Sequence, residues 1–436
     1  MFKDETLNEI TEAESLYATI EELYPICRSI TGDGVRETLQ ILQQHIPLEI
    51  HELPTGTEVF DWTIPKEWNI KEAWIKNSNG EKLVDFRWSN LHVLNYSIPV
   101  DKVVGLKELK EHLYTLPDQP DLIPHKTSYY KEQWGFCLTH NQFMDLDEDN
   151  YHVFIDSTLK EGSMTHGELL IEGTTADEVL ISTHICHPSL CNDNLSGISV
   201  AAHLAQYLLK KKELRYSYRF IFIPATIGSI AWLAQNEEKV DRIKHGLVLS
   251  CLGDRGDQMT YKKSRQGNAP IDKMVEQMLA DSGQAYEIRD FIPYGYDERQ
   301  FCSPAFDLPV GLLMRTPFGE FPEYHTSADN LDFVDADALA KSLSALKQII
   351  YGIEYNRSYQ NVNPKGEPNL GKRGLYKLTG GKTDVEISQM AILWVLNLSD
   401  GKHSLLDIAR RANMPFQAIK QAADALEQAN LLNRSA

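Results

Sequence analysis

Ile181-Ser182-Thr183-His184-Ile185-Cys186-His187-Pro188-Ser189-Leu190-Cys191-Asn192-Asp193-Asn194-Leu195-Ser196-Gly197 carries an apolar, strand-like run into a helix-like one. Two histidines and an aspartate stand at the junction. A strand feeding a helix is the unit of a parallel sheet, and such sheets gather ligands at the carboxyl ends of their strands. A lone His is usually structural, and a lone Asp before a helix is usually a cap. His184, His187 and Asp193 together in one such turn point instead to a metal site. Pro188 stiffens the turn and Gly197 admits close backbone approach. Far along the chain, Glu320-Phe321-Pro322-Glu323-Tyr324-His325-Thr326-Ser327-Ala328-Asp329-Asn330 supplies a further histidine, His325. Imidazole and carboxylate ligands without a thiolate quartet suit Zn²⁺, and three protein ligands leave a fourth position for water. Cys186 and Cys191 read as packing thiols beside the site, with Cys186 also able to reach the metal.

The alternation continues on both sides of this turn. Strand-like runs at 169–171, 179–183, 218–223, 247–251 and 310–314 are separated by helix-like stretches at 196–212, 228–238 and 270–282. A further helix is expected over 335–355, and two more near the start, over 9–30 and 35–45. The expected fold class is α/β, with a mostly parallel sheet covered on both faces. Between 59 and 114 the texture changes to short β-like runs holding four of the seven tryptophans, a small β-rich module. Residues 361–374 read as a linker. After it, helices at 386–398, 405–412 and 416–429 spell a helix-turn-helix with a wing. The expected domains are 1–52 with 116–360, an inserted 53–115, and 375–436.

Bulk properties narrow the function. The 436 residues carry 43 basic and 62 acidic side chains, a net charge of −19. That disfavours general affinity for nucleic acid or anionic membrane. Six cysteines are too few for a disulfide scaffold. The first thirty residues are too acidic for a signal peptide, and the longest apolar run, 220–234, is too short to span a bilayer. The chain reads as a reduced, cytoplasmic protein.

Longer stretches add a resemblance. Arg28-Ser29-Ile30-Thr31-Gly32, Thr127-Ser128-Tyr129-Tyr130, Trp134-Gly135-Phe136-Cys137, Cys186-His187-Pro188-Ser189, Thr226-Ile227-Gly228-Ser229, Ser264-Arg265-Gln266-Gly267-Asn268-Ala269, Tyr296-Asp297-Glu298-Arg299 and Tyr324-His325-Thr326 recur in one combination. From about residue 10 onward the chain resembles the bacterial aminopeptidase-like family, relatives of the co-catalytic di-zinc aminopeptidases with a β-rich insert and a C-terminal winged helix. The resemblance implies an amide or peptide hydrolase in which water activated on zinc attacks a carbonyl. It implies His184, Asp193 and His325 as ligands, with His187 added. The positions of the other di-zinc carboxylates fall on Cys186, Ala225, Thr226 and near Ser250, so one zinc is expected rather than two.

Ala225 is the main departure, because the resemblance expects a general-base Glu there. Three readings follow: another carboxylate (Glu298, Asp297 or Glu320) serves; the protein binds without turnover; or Ala225 is an engineered inactivation. Tyr324, Tyr296 or Arg265 would steady the oxyanion, and Asn268, Glu320, Tyr129 and Trp134 complete the expected substrate contacts. The substrate class is a small-molecule, peptide or other amide. The alternative is a non-catalytic zinc scaffold or regulator using its winged helix. From 384 to 436 that tail has five basic residues against six acidic ones. It suits protein contact, including self-association into a homo-oligomer, better than phosphate neutralisation on DNA.

Overall fold

The computed structural model describes residues 5–375 and 389–435. They divide into two compact units, Met1–Gly267 with Glu287–Ser344, and Asn268–Tyr286 with Ala345–Ala436.

Eight strands form the central sheet: β1 Glu49–Pro54, β2 Ser163–Ile171, β3 Glu178–His184, β4 Ser217–Ile223, β5 Ile243–Leu249, β6 Gln258–Lys262, β7 Ala285–Arg289 and β8 Val310–Met314. Their order is β1-β2-β4-β3-β5-β8-β6-β7. The middle of the sheet, β4-β3-β5-β8, is parallel, and β1, β2 and β6 join antiparallel. Every residue of β3, β4 and β8 is buried, as continuous Val, Ile, Leu and Phe runs require when both faces are covered. The helix Gly197–Leu209 follows β3 and buries Ile198, Val200, Ala201 and Leu204. The helix Ile227–Asn236 follows β4 and buries Trp232 beside Leu180, Ile221 and Val248.

The small β module is a four-stranded antiparallel sheet of Lys82–Asp85, Glu67–Lys76, Asn150–Lys160 and Val100–Gly105. Its strand Asn150–Lys160 lies outside the expected 53–115 span. That strand alternates buried Tyr151, Val153 and Ile155 with less buried neighbours, the period-two pattern of a half-buried strand. The module's core, with Trp68, Ala73, Ile75 and Val153, is continuous with Ile227, Ile230 and Ala231 of the helix after β4. Trp68 is buried and donates its indole N–H to the Ser97 carbonyl at 2.8 Å. Gly32, at φ 98°, passes so close to the Trp68 carbonyl that a Cβ would sit 2.0 Å from it.

Arg36, on the helix Asp33–Gln43, ties the module to the sheet. It reaches Glu67 at 2.6 Å and Glu52 of β1 at 3.0 Å. The Arg36 hydrogen bond is the main cause that holds the Glu67 carboxyl down, from 4.5 to about 2. A depressed folded-state pKa gives stability that is present above the unfolded value and lost as pH falls through the folded one. Glu67→Gln should therefore cost about 2 kcal/mol at neutral pH, once solvent screening of a partly exposed pair is allowed for. The gap to wild type should close as pH falls from 4.5 towards 2. Urea unfolding at a series of pH values checks this, and a gap that stays constant with pH counts against it.

The second unit holds the helices Gln389–Leu398, Leu405–Ala412 and Phe416–Gln428 and a three-stranded sheet of Asp400–Ser404, Ser358–Asn361 and Leu432–Arg434. Residues 386–388 of the expected first tail helix lie outside the described residues. Ser404 and Asp407 form a capping box, and Asn413, at φ 49°, makes the left-handed turn between the second and third helices. The helix Pro270–Asp281 belongs to the same unit, where Asp281 accepts the Phe416 N–H at 2.7 Å.

Candidate metal centre

β3 ends at His184, and the chain then turns through His187 before Asp193 leads into the helix Gly197–Leu209. The turn is fixed from several sides. Buried Arg28 donates to the carbonyls of His187 at 2.8 Å and Pro188 at 3.3 Å. Asp329 accepts the backbone N–H groups of Asn192 at 2.6 Å and Asp193 at 2.9 Å. Asn192 in turn holds Gly253 and Asp254, just past β5. A Cβ on Gly197 would sit 2.4 Å from the Asn194 side chain and 2.7 Å from the Leu249 carbonyl, so this closeness needs glycine.

Asp193 is the hub. Its Oδ1 lies 2.9 Å from His184 Nε2 and accepts the Tyr296 hydroxyl at 3.1 Å. Its Oδ2 lies 3.0 Å from His325 Nε2 and 3.3 Å from His187 Nδ1. Burial alone would push this carboxyl up. The charge of His187 and the hydrogen bonds of all three imidazoles hold it well below the usual range. Burial also works against a charged His187, yet Asp193 keeps its pKa raised. Side chains of Asp193 and His184 are fully buried, whereas His187 is 13% and His325 35% exposed, so the cluster opens to solvent on their side. His325 sits at φ 56°, a left-handed turn uncommon outside glycine.

A fourth imidazole lies here that sequence reasoning passed over. The His125 ring stands 5.3 Å, centroid to centroid, from both His187 and His325, and its backbone N–H donates to the His325 carbonyl at 2.8 Å. Its one sequence signal was its place two residues before the matched Thr127-Ser128-Tyr129-Tyr130 stretch. Asp329, in the same stretch as His325, is fully buried and pushed up to about 7 by desolvation.

The remaining expected residues separate. Tyr296 stacks on His184 at 4.8 Å and Tyr324 on His325 at 4.0 Å. Asp297 is buried, accepts the Ser229 hydroxyl at 2.7 Å, leaves Oδ2 without a partner, and is pushed up to about 7 by burial. Glu298 is locked in a buried ion pair with Lys262 at 2.5 Å. Glu320 pairs with Arg289, and Arg265 with Asp307 at 2.8 Å. Asn268 is exposed, before the helix Pro270–Asp281. Trp134 is buried against His112 in the core of the β module. Ala225, two residues past β4, lines a cavity of about 220 Å³ with Trp62, Tyr129, Tyr130, Thr226 and Ile230. A larger cavity of about 620 Å³, between Tyr24 and Trp88, contains none of the clustered imidazoles.

His184, His187 and Asp193 can each offer an atom so that all three lie within 4.8 Å of one another. Two ligands on one tetrahedral zinc sit about 3.3 Å apart, because Zn–N and Zn–O bonds run about 2.0–2.2 Å. The Asp193 contacts, 2.9 to 3.3 Å, lie near that spacing, His187 Nδ1 also meets the Asp193 backbone carbonyl at 3.0 Å, and the side chains offer the nitrogen and oxygen atoms zinc accepts. His51, His166 and Glu168 form a second such group. There both Glu168 oxygens are already taken, by Arg219 and by the Trp232 indole.

The family described as Domain of unknown function (DUF4910) matches residues 17–356, and a winged helix-turn-helix family matches residues 357–434. A "Putative polysaccharide biosynthesis protein with aminopeptidase-like domain" from Clostridium acetobutylicum is 55% identical over 417 residues, 96% of this chain and 95% of that protein. A crystal structure of a "putative peptidase" from Clostridium acetobutylicum superposes with a TM-score of 0.93 at 53% identity, covering 98% of each chain. BSAP, a zinc aminopeptidase from Bacillus subtilis, superposes with a TM-score of 0.57 at 12% identity, covering 78% of this chain and 95% of that one. Matched over residues 17–356 and continued by the winged-helix match over 357–434, the chain belongs to the DUF4910 family, an α/β fold of zinc-aminopeptidase type followed by a winged helix.

Proposed function

We propose that the chain is a zinc-dependent hydrolase of amide or peptide bonds, with one ion bound at the His184–His187–Asp193–His325 cluster. The observation that carries this reading is the buried Asp193 carboxylate ringed by three imidazoles at the end of the central parallel strand. Zinc held there supplies Lewis-acid activation of water and of the scissile carbonyl. The chain's own groups do the rest. Tyr296 and His184 orient Asp193 from the buried side. Burial raises the Tyr324 hydroxyl well above its usual range, so it stays a neutral O–H donor able to steady a developing oxyanion. The aromatic cavity beside Ala225 offers an apolar seat for a substrate side chain. Ala225 cannot take a proton. Asp297, desolvated and with one free oxygen, is the carboxyl best suited to hold one near neutral pH.

The relatives' names, a "putative peptidase" and a "Putative polysaccharide biosynthesis protein with aminopeptidase-like domain", support amides of peptides or of amidated sugars as the substrate class. The reading as a DNA-binding regulator has less support. Of the tail's basic side chains, Arg410 pairs with Glu276, Lys420 with Asp424 and Arg434 with Glu427. Among the described residues no helix is long and apolar enough to cross a membrane.

The test is metal content. Metal-free protein titrated with Zn²⁺ should take up one ion per chain, and His325→Ala should bind it at least tenfold more weakly. Wild type that takes up no zinc, or a His325→Ala variant that binds as wild type does, removes the basis of the proposal.

A further inference from the structure

We infer that the ion is gripped by a triangle of imidazoles, His125, His187 and His325, and that His184 positions Asp193 from behind. The inference rests on the zinc reading above and changes its ligand set. The three rings are mutual neighbours, with centroids 5.3, 5.3 and 5.0 Å apart and planes at 66°, 84° and 86°. Three imidazoles on one tetrahedral zinc place their centroids about 5.2 Å apart, from a Zn–N bond of about 2.05 Å. Asp193 Oδ2 lies beside two of the three, at 3.0 Å from His325 and 3.3 Å from His187. His184 instead meets Oδ1, the oxygen that Tyr296 also holds, and its side chain is fully buried.

His125 is fixed for this task. Its loop pairs with the His325 loop through the Pro124–Thr326 bridge, the His125 N–H to His325 carbonyl bond at 2.8 Å and the Ser327 N–H to Ile123 carbonyl bond at 2.9 Å. Its Nε2 is buried without a hydrogen-bond partner, a state that is destabilising unless something binds there. His51 Nε2, 3.9 Å from Glu49, and His245 Nδ1 also lack hydrogen-bond partners. His245 faces Tyr216, and His51 faces His166 beside the occupied Glu168. Among the described residues, His125 alone of these three faces imidazoles gathered round a carboxylate.

A centre of three imidazoles and one carboxylate selects nitrogen-seeking ions such as Zn²⁺ and Co²⁺ over Mg²⁺ and Mn²⁺. The experiment uses the full chain, stripped of metal, and measures Zn²⁺ affinity against a chromophoric chelator, the visible bands of the Co²⁺ form, and melting with and without zinc. His125→Leu should bind zinc at least tenfold more weakly, comparably to His325→Ala, and should alter the Co²⁺ bands. The zinc-induced rise in melting temperature should shrink, while the metal-free variant should melt no lower than metal-free wild type. His125→Gln serves the same comparison if the leucine variant does not fold. If both His125 variants that fold keep wild-type zinc affinity and Co²⁺ bands while His325→Ala loses them, the triangle is wrong and the zinc reading survives. If wild type itself takes up no zinc, both fall.

Discussion

Asp193→Asn is expected to weaken zinc binding by at least a hundredfold and, in metal-free protein, to destabilise the fold by about 3 kcal/mol. The two effects share a cause. Asp193 is fully buried, and its two oxygens serve four partners, His184, His187, His325 and Tyr296. An asparagine keeps the volume but replaces one acceptor with a donor. It therefore leaves imidazoles without a partner and turns an N–H toward them. It also removes the negative charge that sustains a raised His187 pKa in a buried setting. Breaking a buried charge cluster by neutralising one member costs more than the pair was worth, because the rest stays buried and uncompensated. Zinc affinity falls further, because the carboxylate is the one anionic group at the hub. Chelator competition and chemical denaturation in the presence of EDTA check the two parts separately. Wild-type zinc affinity in Asp193→Asn would remove the carboxylate from the site.

The parts of the site legible in the sequence were those that local chemistry writes down. A strand end, a proline-stiffened turn and a helix start bring His184, His187 and Asp193 together, and all three fall within one short segment. His325 was legible as a distant histidine that completes the ligand pattern, and the resemblance of its surrounding motif pointed to the same residue. His125 could not be read this way. Only the pairing of two distant loops, Pro124 with Thr326, carries it to the cluster. Glu298 and Glu320 looked like free acids in the sequence because their partners, Lys262 and Arg289, approach through folding rather than by neighbouring position. The parallel centre of the sheet was legible as apolar runs between helices. Its antiparallel flanks were not, because nothing in β1 or β2 alone fixes the direction of their neighbours. The strand Asn150–Lys160 was readable by its alternation, but its partner Glu67–Lys76 lies on the far side of a long connection.

Ala225→Glu is expected to raise kcat/KM for amide hydrolysis by about 10² to 10⁴, the usual worth of a positioned general base, while leaving zinc affinity within threefold of wild type. The fold gives the reason for choosing this position. His184 of β3 pairs in register with Ile223 of β4, and the Ile185 N–H donates to the Ile223 carbonyl at 3.0 Å. Residue 225 therefore leaves the sheet one strand over from His184, and its carbonyl lies 3.8 Å from the Cys186 thiol. It is half-buried on a cavity of about 220 Å³, which leaves room for a longer side chain. Ala225→Gln separates shape from chemistry, since it fills the same space and cannot take a proton. A gain shared by both variants would mean that the cavity, not a base, limits the rate. A gain confined to glutamate, with a rate that falls as acid protonates the new carboxyl, would place the base at 225. If neither variant is faster than wild type and wild type is itself active, the base lies elsewhere, and Asp297, pushed up to about 7 with one oxygen free, becomes the group to remove. Asp297→Asn should then abolish the activity without loss of zinc, a split that a purely structural role for this buried carboxyl would not produce.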